Sequence, residues 1–425
     1  MWETLRNAWR IKEIRKKLLY TFGMLLLFRL VSVIPAPGID AAQVREAIGK
    51  YDVLNLVNMM TGNSFSQMTI MAMGITPYIN ASIIMQLLAV AIPALERLSK
   101  DGGEEGRKKI NQITRYVTVG LAILQSVGII MTLNRSMRVV DSSYNNFWGY
   151  TVIALVMAAG TSLAVWIGER ITAKGIGNGI SLLIFVGIVS NLFNGIMTAI
   201  RNLIGGQGQY LDDVIIMILT TVLIVALVTF VDLAERRIQV QYAKRVVGRK
   251  MYGGQSTHIP LKLLAVGVLP LIFAYSFMAF PGTIMAMINS ESGAYKWWEA
   301  NMNQQSWLYA LICALLIIGF SYFYSAISFN PEDISKNVQQ QGGHIPGVRP
   351  GTATTMYLDR TSKRLTLFAA IFLALLATLP TFLWRTVTVS VPFGASSILI
   401  AVQVALETLR QLEGQMTMRH YKGFL

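Results

Sequence analysis

Apolar residues occur in ten long runs along the chain, separated by shorter polar and basic segments. A helix needs roughly 20 apolar residues to cross the hydrocarbon core of a bilayer, and each run has about that length. The runs are residues 18–34, 75–93, 114–133, 149–168, 179–200, 214–232, 263–288, 307–328, 365–384 and 387–409. This pattern predicts an all-α polytopic membrane protein with ten transmembrane helices.

One further stretch, residues 53–73, looks apolar but is too polar to cross a membrane. It contains Asn55, Asn58, Thr61, Gly62, Asn63, Ser64, Ser66 and Gln67. Polar, irregular backbone is tolerated at membrane depth only where protein or water surrounds it. The stretch therefore predicts a short amphipathic or re-entrant piece.

Composition agrees with a membrane protein. Hydrophobic residues make up 53% of the 425 residues and charged residues only 14%, with a mean hydropathy of +0.50. Ordinary soluble proteins carry about 25% charged residues, which keep their surfaces hydrated. This chain has too little charge to solvate a globule of its size, so lipid must cover much of its surface.

Basic residues lie mostly on one side of the predicted membrane. Six segments hold 29 of the 37 Lys and Arg residues: 1–17, 94–115, 169–178, 233–262, 329–364 and 410–425. Arg29 is the exception inside a span, where it either snorkels outward or lines a cavity. Cytoplasmic loops carry the basic excess in membrane proteins, so both termini are predicted to be cytoplasmic. Residues 1–17 are predicted to form a basic amphipathic helix on that surface.

Nothing in the sequence indicates catalysis or metal binding. The lone cysteine, Cys313, excludes an intramolecular disulfide and lies in an apolar run, which favours a buried thiol. His258, His344 and His420 are each more than seventy residues from the next, a spacing that does not support a zinc site. HExxH, GxxxxGKS/T and GxSxG motifs are all missing. We therefore predict no catalytic residue, no metal and no cofactor.

Isoleucines recur every four residues in two spans, which places them on one helix face. They are Ile75, Ile79 and Ile83 in the second span, and Ile180 and Ile184 in the fifth. One interpretation is lipid-facing or core packing. The other is a hydrophobic constriction, which closes a pore by dewetting.

The loops 233–262 and 329–364 are long as well as basic. Their charge satisfies the rule that sets membrane orientation, but short loops would satisfy it equally well. Their length therefore also favours docking surfaces for an acidic partner such as ribosomal RNA.

Several runs closely resemble the bacterial SecY family, from about residue 12 to residue 410. They are MGITPYINASIIMQLL (73–88), GEEGRKKINQITRYVTVGLAILQSVG (103–128), GIGNGISLLIFVGIV (175–189), AKRVVGRKMYGGQSTHIPLK (243–262) and HIPGVRPG (344–351). The resemblance implies the central subunit of a protein-conducting channel in the bacterial cell membrane. Such a channel passes unfolded secretory polypeptides across the membrane and releases transmembrane segments sideways into lipid.

The resemblance also implies an architecture. Two inverted five-helix halves, residues 18–200 and 201–409, would surround an hourglass pore, with residues 410–425 as a cytoplasmic tail. Residues 55–68 would be a plug that closes the outer vestibule.

The resemblance assigns roles to single residues. The implied pore ring is Ile79, Ile83, Ile180, Ile184, Ile272 and, from the last span, Ile400, with Val404 and Ala405 as alternatives. The implied plug residues include Asn58, Met60, Thr61, Gly62 and Ser64. The implied polar contacts of a lateral gate are Asn80, Gln86 and Gln125. The implied docking residues are Arg245, Arg249, Lys250 and Arg349.

The implied partners are the small SecE and SecG subunits, the SecA ATPase, the ribosome, signal peptides, unfolded preproteins and membrane lipid. The chain itself would be a passive channel rather than an enzyme, with energy supplied by SecA or by the translating ribosome.

Other classes of membrane protein fit parts of this pattern. A secondary transporter explains ten spans and possible inverted halves, but it predicts acidic residues near the membrane midplane, which the spans lack. An intramembrane enzyme would need paired catalytic groups within the spans. A docking scaffold would not need the polar interruption at 53–73.

Overall fold

The computed structural model describes residues 2–50, 58, 61–100, 102–204, 211–242, 245–247, 250–252, 256–264, 267, 269–289, 292–302, 306–386 and 395–422. Most of these residues are helical. The helices are α1 (Trp2–Arg10), α2 (Lys12–Val31), α3 (Ala41–Lys50), α4 (Thr76–Ala91), α5 (Pro93–Lys100), α6 (Gly103–Met137), α7 (Phe147–Lys174), α8 (Gly179–Ile204), α9 (Leu211–Leu233), α10 (Leu269–Asn289), α11 (Gly293–Asn301), α12 (Trp307–Ser328), α13 (Pro331–Gln340), α14 (Thr352–Thr386) and α15 (Ala395–Lys422).

The prediction of a helical membrane protein is confirmed. Each of the ten predicted runs overlaps a helix over its described residues. Within the described part of the chain, five stretches are long and apolar enough to cross a membrane: Gly103–Asn134, Phe147–Lys174, Gly179–Met197, Trp307–Gln340 and Thr352–Leu379. Shorter apolar helical stretches are Thr76–Ala91, Ile218–Leu233 and Leu269–Met278.

Several helices begin where a polar side chain caps the first turn. The side chain of Asn146 accepts from the backbone N–H of Gly149 at the start of α7, and Ser306 does the same for Leu308 in α12. Asn330 caps α13, which has Pro331 at its first position. Such residues satisfy N–H groups that have no partner within the helix, so they fix where each helix starts.

The chain forms two compact units. The first comprises residues 1–217, 276–304 and 389–425, and the second comprises residues 218–275 and 305–388. In the first unit α6 packs on α4 and α7, α7 packs on α8, and α15 packs on α8. The predicted division into halves at residues 200 and 201 stays a prediction.

The two ends of the chain meet within the first unit. Ala8 and Ile14 near the N-terminus form a buried apolar cluster with Ile176 and with Leu412 of α15. The ammonium group of Lys17 donates to the side-chain oxygen of Gln415 at 3.1 Å. The start of α2 and the last turns of α15 therefore lie at the same end of this unit.

The second unit contains a small sheet that the sequence analysis missed. Strand β1 (Glu235–Tyr242) pairs antiparallel with β4 (Ser256–Lys262) on one side and with β5 (Gly343–His344) on the other. The pair β2 (Arg245–Val247) and β3 (Lys250–Tyr252) forms a separate hairpin. Both basic loops, 233–262 and 329–364, contribute to the three-stranded sheet, so they fold together.

Alternation explains why this sheet forms. Ile238 and Val240 of β1 are buried, whereas Gln239 and Gln241 between and beyond them are exposed, as the two-residue period of a strand requires. The buried residues join one apolar cluster with Leu261, Val338, Ile345 and Leu358. A short α/β element thereby covers one end of α14.

In the first unit, Gly160 of α7 permits a close backbone approach. A Cβ at this position would overlap the carbonyl oxygen of Ile70, which belongs to the polar stretch predicted to be re-entrant. Gly120 of α6 has no atom within 4 Å of the corresponding position.

Replacing Gly160 with Ala should therefore destabilise the protein, because backbone rather than a flexible side chain would have to move. We expect a cost of about 1–3 kcal/mol, seen as a lower Tm of the purified protein in detergent. Gly120→Ala is the matched control and should be neutral or stabilising, since Ala is a better helix former by roughly 1 kcal/mol. Equal Tm values for the two variants would contradict the proposed contact.

Candidate functional site

The polar segment, defined here as Asn58 with residues 61–75, is folded mainly as turns. Gly62, Asn63, Met68 and Gly74 have positive φ values of 66°, 71°, 42° and 52°. Left-handed backbone interrupts a helix, and glycine and asparagine adopt it most readily. Thr61, Ser64 and much of the rest of the segment are nevertheless buried. The expectation that protein would surround this stretch is thus met within the first unit.

Polar side chains replace the hydrogen bonds that a helix would have supplied. The side-chain oxygen of Asn58 accepts from the backbone N–H of Ser66 at 2.8 Å, and its amide donates to Asn63 at 3.0 Å. The hydroxyl of Thr61 accepts from the backbone N–H of Phe65 at 3.3 Å. Unpaired buried backbone groups are costly, so these contacts allow a non-helical chain to lie at membrane depth.

The other face of the polar segment is apolar. Its side chains pack between α6 and α7 in a single cluster. The members from the segment are Phe65, Met68, Ala72 and Met73, and those from the helices include Ile130, Leu133, Ile153 and Met157. The C-terminal part of the segment is therefore anchored by core packing and by backbone hydrogen bonds, from Ala36 to Met68 at 2.8 Å and from Ile70 to Ile34 at 2.9 Å. The N-terminal part is held by polar side-chain contacts.

Arg29 supplies the most direct polar contact to the segment. Its guanidinium donates through Nη1 to the carbonyl oxygen of Gly62 at 2.9 Å and through Nη2 to the hydroxyl of Ser190 at 2.5 Å. The guanidinium therefore faces protein rather than snorkelling outward, and a cavity-lining role stays a prediction. One side chain from α2 thereby joins the polar segment to α8.

Helix α8 makes two further contacts with the same segment. The amide of Asn191 donates to the carbonyl oxygen of Asn58 at 3.3 Å. Gly62 lies so close to Gly187 that a Cβ on Gly62 would be 2.8 Å from the Cα of Gly187. Because Gly187 and Asn191 are one helical turn apart, they present one face of α8 to the segment.

The predicted ring isoleucines are mostly buried by protein. Ile79 and Ile83 of α4 are only 8% and 9% exposed, and Ile184 and Ile400 in the same unit are also buried. Ile180 is half-buried and lies against Gly168 of α7. In the second unit Ile272 is buried. A lipid-facing role therefore does not fit the buried members, while core packing and a constriction both do, so the ring stays a prediction.

The last-span alternatives also differ in burial. Ile400 and Val404 are buried and lie one turn apart on α15, whereas Ala405 is half-buried. Helix α15 packs on α8, which carries Ile180 and Ile184.

The polar residues proposed for a lateral gate differ in their surroundings. Asn80 and Gln86 are half-buried on α4, and Gln86 donates to Ser82 of the same helix at 3.3 Å. Gln125 of α6 is buried, and its side-chain oxygen has no hydrogen-bond partner among the described residues. Leaving such an acceptor unpaired costs about 1–3 kcal/mol.

The predicted docking residues lie in the second unit. Arg349 is exposed on the turn between β5 and α14, where its carbonyl oxygen accepts from the hydroxyl of Thr354 at 2.9 Å. Arg245 and Lys250 belong to the hairpin of β2 and β3. Arg249 and the plug residue Met60 lie outside the described residues.

Sequence reasoning missed Ser190 and Asn191 as part of this site. The available signal was a pair of adjacent polar residues inside a largely apolar span. It also missed the exposed bidentate pair of Arg115 and Glu169, at 2.8 and 2.7 Å, which ties α6 to α7.

Comparison with solved structures identifies the class of fold. A structure described as a protein conducting channel matches with a TM-score of 0.69 at 18% identity, over 94% of this chain and 92% of the other. The channel of a canine ribosome-channel complex from the endoplasmic reticulum matches with a TM-score of 0.65 at 17% identity, over 94% and 92%. The fold is that of the protein-conducting channels.

Sequence comparison narrows this class to one family. The SecY family model matches residues 69–409. The protein translocase subunit SecY of Halalkalibacterium halodurans is 40% identical over 100% of both chains, and that of Streptomyces coelicolor is 42% identical over 99% of this chain and 98% of its own. The one from Thermotoga maritima is 40% identical over 100% and 98%. The chain belongs to the SecY family.

Gly62→Ala should loosen the polar segment, because the new Cβ would meet Gly187 and the residue would keep a strained positive φ. With Cys313 removed and Ser66 replaced by Cys, we expect maleimide to label the segment roughly tenfold faster, as a strain of about 1.4 kcal/mol implies. Gly23→Ala is the control, since no atom lies within 4 Å of its Cβ position. Unchanged labelling in Gly62→Ala would argue against the close contact between Gly62 and Gly187.

Proposed function

We propose that this chain is the channel-forming subunit of a protein translocase, through which unfolded secretory polypeptides cross the membrane. The observation that carries the proposal is the polar segment, which is buried in the unit that also buries Ile79, Ile83, Ile184 and Ile400. Family membership and the fold agree with it. A scaffold gives no reason for such a polar, non-helical insertion, and a transporter would need acidic residues near the membrane midplane, which the predicted spans lack.

The isoleucines are proposed to form the constriction of the channel. Apolar side chains offer no ligands to ions, and a narrow apolar passage loses its water, so the idle channel would be sealed. The same side chains make few lasting contacts with a polar chain. A ring of Ile79, Ile83, Ile180, Ile184, Ile272 and Ile400 could therefore surround many different polypeptides without binding any one of them.

The polar segment is proposed to act as the plug, with Asn58, Met60, Thr61, Gly62 and Ser64 among its residues. Support comes from how its N-terminal part is held. Hydrogen bonds to Arg29 and Asn191 fix it, and water can replace such bonds when the channel fills. Moving small polar residues into water carries little hydrophobic cost.

Sideways release into lipid would follow from partition. A segment of about 20 apolar residues gains free energy by leaving an aqueous pore for hydrocarbon. Asn80, Gln86 and Gln125 are proposed as the polar contacts of this lateral gate. The unpaired oxygen of Gln125 supports the idea that its partner is supplied by another state of the channel, by water or by a bound chain.

Energy and direction would come from partners. SecA or the translating ribosome is proposed to dock on the cytoplasmic side, and the ribosome is favoured by the ribosome-bound channel among the similar structures. SecE and SecG are proposed as companion subunits in the bacterial cell membrane. The contact between Lys17 and Gln415 supports termini on one side, and the basic segments favour the cytoplasm for that side.

Site-specific photo-crosslinking would test the channel proposal. Proteoliposomes would contain this chain with SecE, with a photoreactive residue at position 83 or 184, and would receive SecA, ATP and a signal-bearing preprotein with a folded C-terminal block. We expect ATP-dependent protease protection and crosslinks from both positions to the arrested preprotein.

Positions 113 and 189 serve as controls on the same structural unit. Ile113 of α6 and Val189 of α8 are 37% and 41% exposed, so crosslinks to preprotein should be much weaker there. Equal crosslinking at all four positions would contradict the proposal that these isoleucines form a ring. Absence of protection with active SecA would remove the channel proposal and direct attention to solute transport.

Arg349→Glu should weaken docking of SecA, because an exposed guanidinium that meets an acidic surface would be replaced by a like charge. We expect SecA affinity for proteoliposomes to fall about tenfold, which corresponds to about 1.4 kcal/mol. Arg364→Glu, also exposed, makes the same change in net charge. If both variants bind SecA equally well, Arg349 has no specific docking role.

A further inference from the structure

Arg29 is a cation held by neutral partners. Its two contacts are the carbonyl oxygen of Gly62 and the hydroxyl of Ser190, and no acidic side chain is among them in the described residues. A charged residue within an apolar span is expensive to bury and is usually functional. Its position therefore calls for a role that a leucine or methionine could not fill.

The guanidinium geometry suits a bridge between two elements. Its planar fork carries several N–H donors in fixed directions, so Nη1 and Nη2 can each serve a different acceptor. Here one donor holds the polar segment and the other holds α8. Hydrogen bonds from a charged donor are stronger than those between neutral groups, so this bridge is a strong side-chain contact of the N-terminal part of the segment.

The backbone at Gly62 packs closely against both Gly187 and the guanidinium of Arg29. A Cβ on Gly62 would be 2.8 Å from the Cα of Gly187 and 3.0 Å from Nη1 of Arg29. Any side chain at position 62 would thus separate the carbonyl from the guanidinium and from α8. This close fit is independent of the hydrogen bonds and points to the same contact.

Helix α8 connects this contact to the isoleucines. Ile184, Gly187 and Asn191 are spaced three and four residues apart, so they share one helix face, with Ser190 beside them. Ile184 is buried and lies about one helical turn N-terminal to Gly187. A shift or rotation of α8 that moves Ile184 therefore also moves Ser190 away from the guanidinium.

We propose that Arg29 is the latch of the polar segment: its guanidinium holds Gly62 against α8, and displacement of α8 by an entering polypeptide breaks the bridge and frees the segment. This inference rests on the proposed plug function. Arg29 is a positioning residue in this scheme, since it acts through the segment and does not itself contact the polypeptide.

Cysteine labelling of the idle complex would test the latch without translocation. In a chain with Cys313→Ala, half-buried Gln67 would be replaced by Cys in the polar segment, and exposed Val33, two residues beyond the end of α2, would be replaced by Cys as the reference site. We expect Arg29→Gln to raise the labelling rate at position 67 by roughly tenfold or more relative to position 33. Ser190→Ala, which keeps the bond to Gly62, should give a smaller increase.

Two further variants separate the latch from general effects. Arg29→Lys keeps the charge but loses the fork, so its labelling rate should be intermediate. Arg115→Gln removes an arginine that pairs with Glu169 in the same unit and should leave position 67 unchanged. The Tm of every variant would be measured, and Ser190→Ala keeps the test valid if Arg29→Gln fails to fold.

The outcomes distinguish the latch from the channel proposal. Faster labelling in Arg29→Gln and Ser190→Ala supports the latch whether or not the native chain translocates a preprotein. Unchanged labelling in both variants overturns the latch, even if translocation is normal. If the native chain does not translocate at all, the channel proposal is overturned. The labelling rates still decide whether Arg29 holds the polar segment.

Discussion

The structure depends on one constraint: within a bilayer, every backbone N–H and C=O must find a partner inside the protein. Most of the chain meets it with helices. The polar segment cannot, because its glycines and asparagines turn the backbone, so it meets the constraint with side chains such as Asn58 and with donors from α2 and α8. Gly160 and Gly187 bring the surrounding backbone close enough for these contacts to form.

This constraint also explains what the sequence could predict. A long apolar run has few alternatives to a membrane helix, so the ten runs located helices well. Their ends were less well predicted: α6 begins at Gly103, before the predicted span at 114, because charged residues continue a helix outside lipid as readily as apolar ones. The alternation of Ile238 and Val240 was a strand signal, but it was short and lay in a loop that was interpreted by its charge and length.

In the candidate site, the sequence predicted the polar segment but not the residues that hold it. A family resemblance pointed to residues 55–68, and composition alone marked this stretch as unable to cross the membrane. The partners that hold it were not predictable locally: Ser190 lies 161 residues from Arg29, and Asn191 lies 133 residues from Asn58. Only the folded chain brings them together. The isoleucines were predicted from the sequence, but their role does not follow from burial. Buried Ile79 and Ile83 fit a constriction and an ordinary core equally well.

The length of α6 has a mechanical consequence. Its 35 residues would extend about 52 Å at 1.5 Å per residue, well beyond the roughly 30 Å hydrocarbon layer. α14 in the second unit has the same number of residues. A continuous helix resists compression, so a load applied to its protruding turns reaches the bilayer interior as tilt. Each unit thus contains a helix long enough to carry a displacement from outside the hydrocarbon layer into it.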